Sequence, residues 1–265
     1  MRRSAARRDF TAPHPAPARP EPRGRAWWAI ALLSLVIAAY GASYVVRGEA
    51  AFVGELAASF RARPWGIILH AALGSVTLLA GPLQLRGDLR RRHPRVHRVA
   101  GRAYVAAALG TGALGLYMSA HAFGGPVARS GFAVLALLTL ATTTMGLARI
   151  LAGDVEAHRA WMLRSFALIF GAVTLRIELP LLVAANAGAF APAYRWVAWL
   201  SWAPNLAWCP TRARSPRAVR RAAMRECATR STPDSVPTTA TRPSGRRART
   251  RRRSRRRAAA ARCAA

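Results

Sequence analysis

The sequence predicts an all-α fold, a polytopic transmembrane helical bundle of about six spans with disordered basic termini. Three observations lead there. The 265 residues include 41 basic and 10 acidic ones, for a formal net charge of +31, yet 52% of the chain is hydrophobic and its mean hydropathy is +0.12. Charge and apolar residues are segregated, with the apolar ones in runs of about 20, enough to cross a hydrocarbon core of about 30 Å at about 1.5 Å per residue. No run alternates with the period of a barrel strand, so helices are the spanning form. A large soluble core is excluded as the main body. All the basic residues are Arg, which biased coding composition explains ahead of any selection for guanidinium chemistry.

Residues 1–25 are a basic, Pro-rich lead, and the first span follows over residues 26–46. That apolar run is longer than the h-region of a signal peptide and the lead is too long for an n-region, so it reads as an uncleaved anchor. The next four spans cover residues 64–85, 99–123, 131–152 and 161–188. A shorter sixth, residues 194–209, contains Pro204 and depends on its aromatic flanks to reach across. Residues 26–209 are therefore the membrane domain. Seven Arg precede span one, and seven more lie between Arg86 and Arg102 against the single acid Asp88. Both segments are expected in the cytoplasm, since short basic loops stay inside. The link with Arg47, Arg61 and Arg63 is offset by Glu49 and Glu55, and the link with Arg129 is nearly uncharged; both are expected outside.

The tail, residues 210–265, carries 18 Arg against Glu226 and Asp234. A sixth span places it in the cytoplasm, in agreement with its charge. Three readings compete for it: a disordered cytoplasmic tail, an arm for nucleic acid or anionic lipid, and an out-of-frame translation product. Its Arg run attracts phosphate nonspecifically under all three, and no aromatic residue beyond Trp208 supplies a base-stacking platform, so no specific nucleic-acid partner is expected. The bilayer and the anionic headgroups beside the Arg-rich loops are the expected partners. Cys209, Cys227 and Cys263 have neither metal-ligand spacing nor the pattern of a disulfide framework.

Five histidines, His70, His93, His97, His121 and His158, lie in or beside the spans, and His14 lies in the lead. His97-Arg98-Val99-Ala100-Gly101-Arg102 and His158-Arg159-Ala160-Trp161-Met162-Leu163-Arg164-Ser165 open spans three and five, 61 residues apart, and hint at a duplicated helical pair. At interfacial helix ends, Arg snorkelling to headgroups and His capping explain such residues without any ligand. On span five His158, Met162, Ser165, Ala172 and Arg176 share one face, a polar stripe on an apolar helix. Arg176 falls near mid-span, where a lone charge costs at least about 2.5 kcal/mol, so it must face the interior and find a partner. Glu178 is on a different face, which leaves Thr77, Gln84 or a bound anion. On span two His70, Gly74, Thr77, Gly81 and Gln84 form a similar stripe, which close helix packing or a flat ligand would explain.

The outer pair His70/His121 and the inner pair His97/His158 mark opposite sides of the bundle. Paired histidines on neighbouring helices are what bis-imidazole haem b requires, and two stacked pairs would form an electron path. On this reading His70, His97, His121 and His158 are the cofactor ligands, Arg102 or Arg176 meets a propionate or another anion, and haem iron is the only metal. The resulting function is haem-binding or quinone-linked electron transfer. The alternatives are a small-solute or proton transporter, with Arg176, Glu178 and the Thr77 to Gln84 stripe along the path, and a non-catalytic membrane scaffold. No Gly-rich phosphate loop, His-Glu-x-x-His, Cys-x-x-Cys or nucleophile elbow is present, so no soluble-enzyme chemistry is indicated.

His70 with Gly81-Pro82-Leu83-Gln84, His97-Arg98-x-x-Gly101-Arg102, His158-Arg159-x-Trp161-Met162-x-Arg164-Ser165 and Ala172-Val173-Thr174-Leu175-Arg176 together resemble the domain of unknown function 2306 family of bacterial multi-pass membrane proteins. The resemblance covers roughly residues 51–206 and implies the bacterial inner membrane, but carries no activity with it. Members of that family continue past a segment like Trp202-Ala203-Pro204-Asn205-Leu206 with more apolar helix, whereas this sequence departs at about Trp208. The departure favours the out-of-frame reading of the tail and puts the inner half of span six in question. The histidine layout is also similar in a general way to the two-haem cytochrome b family, without a motif in common.

Overall fold

The computed structural model describes residues 24–209. The expected disordered lead up to Pro22 and Arg23, and the whole Arg-rich tail from Pro210, lie outside the described residues. Five helices are long and apolar enough to cross a membrane: α1 (Arg25–Arg47), α3 (Pro64–Gln84), α5 (Pro94–Ser119), α6 (Gly125–Leu151) and α7 (Val155–Ala185). Among the described residues there are also four shorter α-helices, α2 (Ala57–Arg61), α4 (Gly87–Arg92), α8 (Phe190–Leu200) and α9 (Ala203–Ala207), and two 3-10 turns between α1 and α2. No strand occurs among the described residues.

Local chemistry sets the helix starts. Pro64, Pro94 and Pro126 stand in the first turns of α3, α5 and α6, where a missing N–H removes no hydrogen bond. Asp154 caps α7 by accepting the Ala157 N–H at 3.0 Å. Three of the five long helices therefore begin several residues before the apolar runs do, because the backbone ladder continues through a polar first turn.

α3 packs between α1 and α5, α6 packs on α5 and α7, and α7 returns onto α1 and α3. Small residues let the backbones approach. A side chain at Gly131 would run into the Ala198 carbonyl of α8, and one at Gly81 into the Phe166 ring of α7. Leu32, Val36, Leu79, Val99, Leu137 and Leu181 point outward and are exposed, as expected where the surroundings are lipid.

The expected sixth span is not one of the five helices long enough to cross a membrane; its apolar run is split into two short helices. Pro204 lacks an N–H, and its ring excludes the carbonyl of Leu200, so α8 stops there and α9 restarts after Ser201 and Trp202. The two pieces descend along α7 together. Val197 and Ala198 pack with Leu175 and Leu179, Trp202 backs onto Gly171, and Cys209 Sγ lies 3.7 Å from the Leu163 carbonyl.

One end of the bundle gathers Arg25, α4, the starts of α5 and α7 and the end of α6, and is the Arg-rich end. At it Arg86 lies 4.9 Å over the Trp27 ring, whose Nε1 donates to the Pro82 carbonyl at 2.9 Å. At the far end the link between α1 and α3 folds inward, and Phe52, Ala57 and Phe60 pack around Tyr44.

Candidate functional site

In the far half of the bundle α1, α3, α5 and α7 leave a cavity of about 120 Å³. Its polar wall is Tyr44 from α1, His70, Ser75 and Thr77 from α3, Thr111 from α5 and Arg176 from α7. Towards the far end it is bounded by aromatic rings, with Tyr44, Phe52 and Phe60 in mutual contact at centroid distances of 5.8 to 6.2 Å. Towards the Arg-rich end the floor is apolar, where Leu78 and Ile169 pack with Ala38 and Val173.

Arg176 lies deep among the helices, yet its side chain stays exposed because it lines a crevice instead of filling a solid core. Its Nη1 donates to the Ala172 carbonyl at 2.9 Å, and the guanidinium stands 5.0 Å over the Tyr40 ring. The Tyr40 and Tyr44 hydroxyls are 3.0 Å apart. No carboxylate pairs with Arg176 among the described residues, and Glu178, two positions on, keeps Oε2 buried without a partner. Most of the five N–H donors of the guanidinium are thus available.

His70 Nδ1 is 3.1 Å from the Thr111 carbonyl oxygen. A carbonyl only accepts, so Nδ1 carries the hydrogen and donates it, and in the neutral ring Nε2 bears a lone pair. The Thr111 hydroxyl oxygen is buried with no partner.

About three helical turns nearer the Arg-rich end lies a second polar layer, and His97 and His158 lie about two turns beyond it. Ser165 Oγ is 2.9 Å from Tyr104 Oη and 2.7 Å from Thr143 Oγ1, so one hydroxyl joins α5, α6 and α7. His158 Nδ1 lies 2.7 Å from the Gly146 carbonyl and must donate to it. Gln84 holds His97 in the opposite sense. With its amide turned to match donors to acceptors, Gln84 accepts the Gly101 N–H at 3.2 Å and donates to His97 Nδ1 at 2.9 Å and to the His97 carbonyl at 3.3 Å. The neutral His97 ring then carries its hydrogen on Nε2. His97 and His158 are close enough for their charges to interact.

A family profile described as a predicted membrane protein, domain of unknown function 2306, matches residues 67–210, more than half of the chain. The chain belongs to this family. No curated protein and no solved structure matches it. The domain of unknown function 2306 segment begins inside α3, so it contains His70, Thr111 and Arg176 of the cavity and all of the second layer. Tyr40 and Tyr44 stand outside it, on α1. The segment also includes α8 and α9 and ends close to the point where the sequence changes character.

Within this family member the expected site residues fall into three groups. His70 and Arg176 share the cavity, and His97 and His158 lie together towards the Arg-rich end. His121 does not meet His70. It sits on the turn after α5, ten residues past Thr111, with Nδ1 3.2 Å from the Tyr117 carbonyl and its ring 5.5 Å from the Tyr117 ring. Arg102 is exposed. Neither residue expected as a partner of Arg176 bonds to it. Thr77 lines the cavity but donates to the Gly74 carbonyl at 2.6 Å, and Gln84, at the other end of α3, is taken up by His97 and Gly101. Arg176 also lies nearer the far end than mid-span, because α7 begins at Val155. Sequence reasoning missed Tyr40, Tyr44, Thr111, Tyr104 and Thr143. The available signal was a hydroxyl inside an apolar run, which needs a partner wherever it is buried.

Proposed function

We propose that this protein moves a small solute or a proton across the bacterial inner membrane by way of the His70 and Arg176 cavity, with the Arg-rich end and the N-terminus in the cytoplasm. The observation that carries the reading is Arg176, a cation with no carboxylate partner among the described residues, on the wall of a largely apolar cavity that also presents Tyr44, His70, Ser75, Thr77 and Thr111. About 120 Å³ holds a few waters or a small ion and is far below the roughly 300 to 1,000 Å³ of pockets for drug-sized ligands. The apolar floor of Leu78, Ile169 and Val173 separates this cavity from the second polar layer, as a transporter closed on one side requires. The experiment is flux into liposomes reconstituted with the full chain, read by a trapped pH dye and by anion uptake. Wild-type flux that Arg176→Gln removes, with the variant still monodisperse and cooperatively melting, supports the reading. Well-folded wild-type protein that passes neither protons nor small solutes refutes it and favours the scaffold alternative.

A second reading, haem b held by His97 and His158 for quinone-linked electron transfer, is favoured by one observation. His158 donates Nδ1–H to a backbone carbonyl and keeps Nε2 free, the arrangement of a ligating histidine. His97 as Gln84 holds it does not fit, since its Nε2 carries the hydrogen. A Soret band that His158→Ala abolishes would favour haem, and a colourless protein purified from haem-replete cells would reject it.

A further inference from the structure

We infer that the ligand of the His70 and Arg176 cavity is a small monovalent anion, of chloride to nitrate size, that binds together with one proton on His70. The inference rests on the transport reading and assigns its substrate class and coupling.

The sign of the ligand follows from the donors. Arg176 supplies a fixed positive charge and several free N–H groups, and no Asp or Glu lines the cavity. A cation entering there would face the guanidinium with no counter-charge, whereas an anion would neutralise it in a region of low dielectric constant. The Thr111 hydroxyl, buried without a partner, and the nearby Tyr44 hydroxyl are further donors to an anion. The volume excludes a large organic acid.

The proton follows from the way His70 is held. The Thr111 carbonyl fixes the hydrogen on Nδ1, so neutral His70 offers its second nitrogen as a lone pair, which repels an anion. Protonation at Nε2 turns that nitrogen into a donor and adds a charge that attracts the anion. The converse also holds. A proton on His70 with the cavity empty would stand beside Arg176 with nothing to offset it. The titratable groups facing His70 are Arg176 from α7 and Tyr44 from α1, with Tyr40 beyond them; α5 presents Thr111 and Gly115, and α6 presents Ala136. None of these is a carboxylate that could hold the proton in place of the anion. Each ligand thus raises the affinity for the other, as linkage requires. The loading step is anion plus proton plus neutral His70 giving the imidazolium-anion pair, and the two carried charges cancel, so net transport moves no charge.

The test uses the full chain in liposomes of neutral lipid, with potassium and valinomycin to clamp the membrane potential. For the wild type, an inward chloride or nitrate gradient should acidify the lumen at one proton per anion, at a rate independent of the clamped potential. His70→Gln keeps a neutral donor, so it should pass anions without protons and become potential-sensitive. Arg176→Gln should lower anion flux about tenfold or more, the loss of one charge-assisted interaction, and Arg176→Lys should retain part of it. Wild-type anion flux without protons, or proton flux that ignores anions, would overturn this inference and leave the transport reading standing. Absence of any flux from well-folded wild type would overturn both.

Discussion

Gly131 and Gly74 are both helical glycines, yet replacing each by Ala should move stability in opposite directions. At Gly131 an added Cβ would stand 2.8 Å from the Ala198 carbonyl oxygen and 2.9 Å from Trp199 Nε1. The first is backbone, so no rotamer change relieves the contact, and α8 must move off α6 by about half an ångström. That displacement stretches the Trp199 Nε1 bond to the Val127 carbonyl, now 3.1 Å, and loosens the Tyr194, Val197 and Ala198 cluster. Because the contact is with backbone, the cost falls in the upper part of the overpacking range, about 2–3 kcal/mol, and the helix propensity gained from Gly to Ala returns about 0.5–1 kcal/mol, for a net loss of about 1–2.5 kcal/mol. At Gly74 a Cβ would enter the cavity and meet nothing within 4 Å, so only the propensity gain remains, with about 1 kcal/mol as its upper bound because membrane helices persist after unfolding in detergent. Thermal melting in detergent, followed by tryptophan fluorescence, should place Gly131→Ala about 2–8 °C below wild type and Gly74→Ala at or slightly above it. Gly131→Ala as stable as wild type would refute the close approach of α8 to α6. Gly74→Ala also narrows the cavity by one methyl, so lower flux without lower stability is its functional signature.

Other outcomes follow from single contacts. Ser165→Ala strands the buried Tyr104 and Thr143 hydroxyls and should cost about 1–2 kcal/mol in the same melting assay, while adding Tyr104→Phe should cost less than the sum of the two single effects. Asp154→Ala removes the cap of α7 and should cost about 1 kcal/mol, whereas Asp154→Asn keeps an acceptor for Ala157 N–H and should cost little. Gln84→Leu leaves His97 Nδ1 without its donor. Nitrogen NMR of labelled histidine should show the Nε2–H tautomer at His97 in wild type and a mixture in the variant, and an unchanged spectrum would contradict the Gln84 assignment.

The class of the protein was fixed by patterns that need no tertiary knowledge. Uninterrupted apolar runs of membrane length and segregated arginines require spanning helices, because a backbone in lipid satisfies its hydrogen bonds only as a helix or a closed barrel and no run alternates as a barrel strand does. The family motifs were legible for the same reason, since each is a local property of one chain segment, whereas the stripe from His158 to Arg176 buries only Ser165 fully and the expected sixth span is split at Pro204. Which stripes meet was decided only by packing. Parallel α5 and α7 bring Tyr104 to Ser165, 61 residues apart, while the length of α3 carries Gln84 away from Arg176 and into the turn of α5 that begins at His97. The donor direction of each histidine is likewise tertiary. Thr111 and Gly146 present carbonyls to His70 and His158, and Gln84 presents an amide N–H to His97. A sequence names the imidazoles, but only the neighbouring helix decides which nitrogen is free to act.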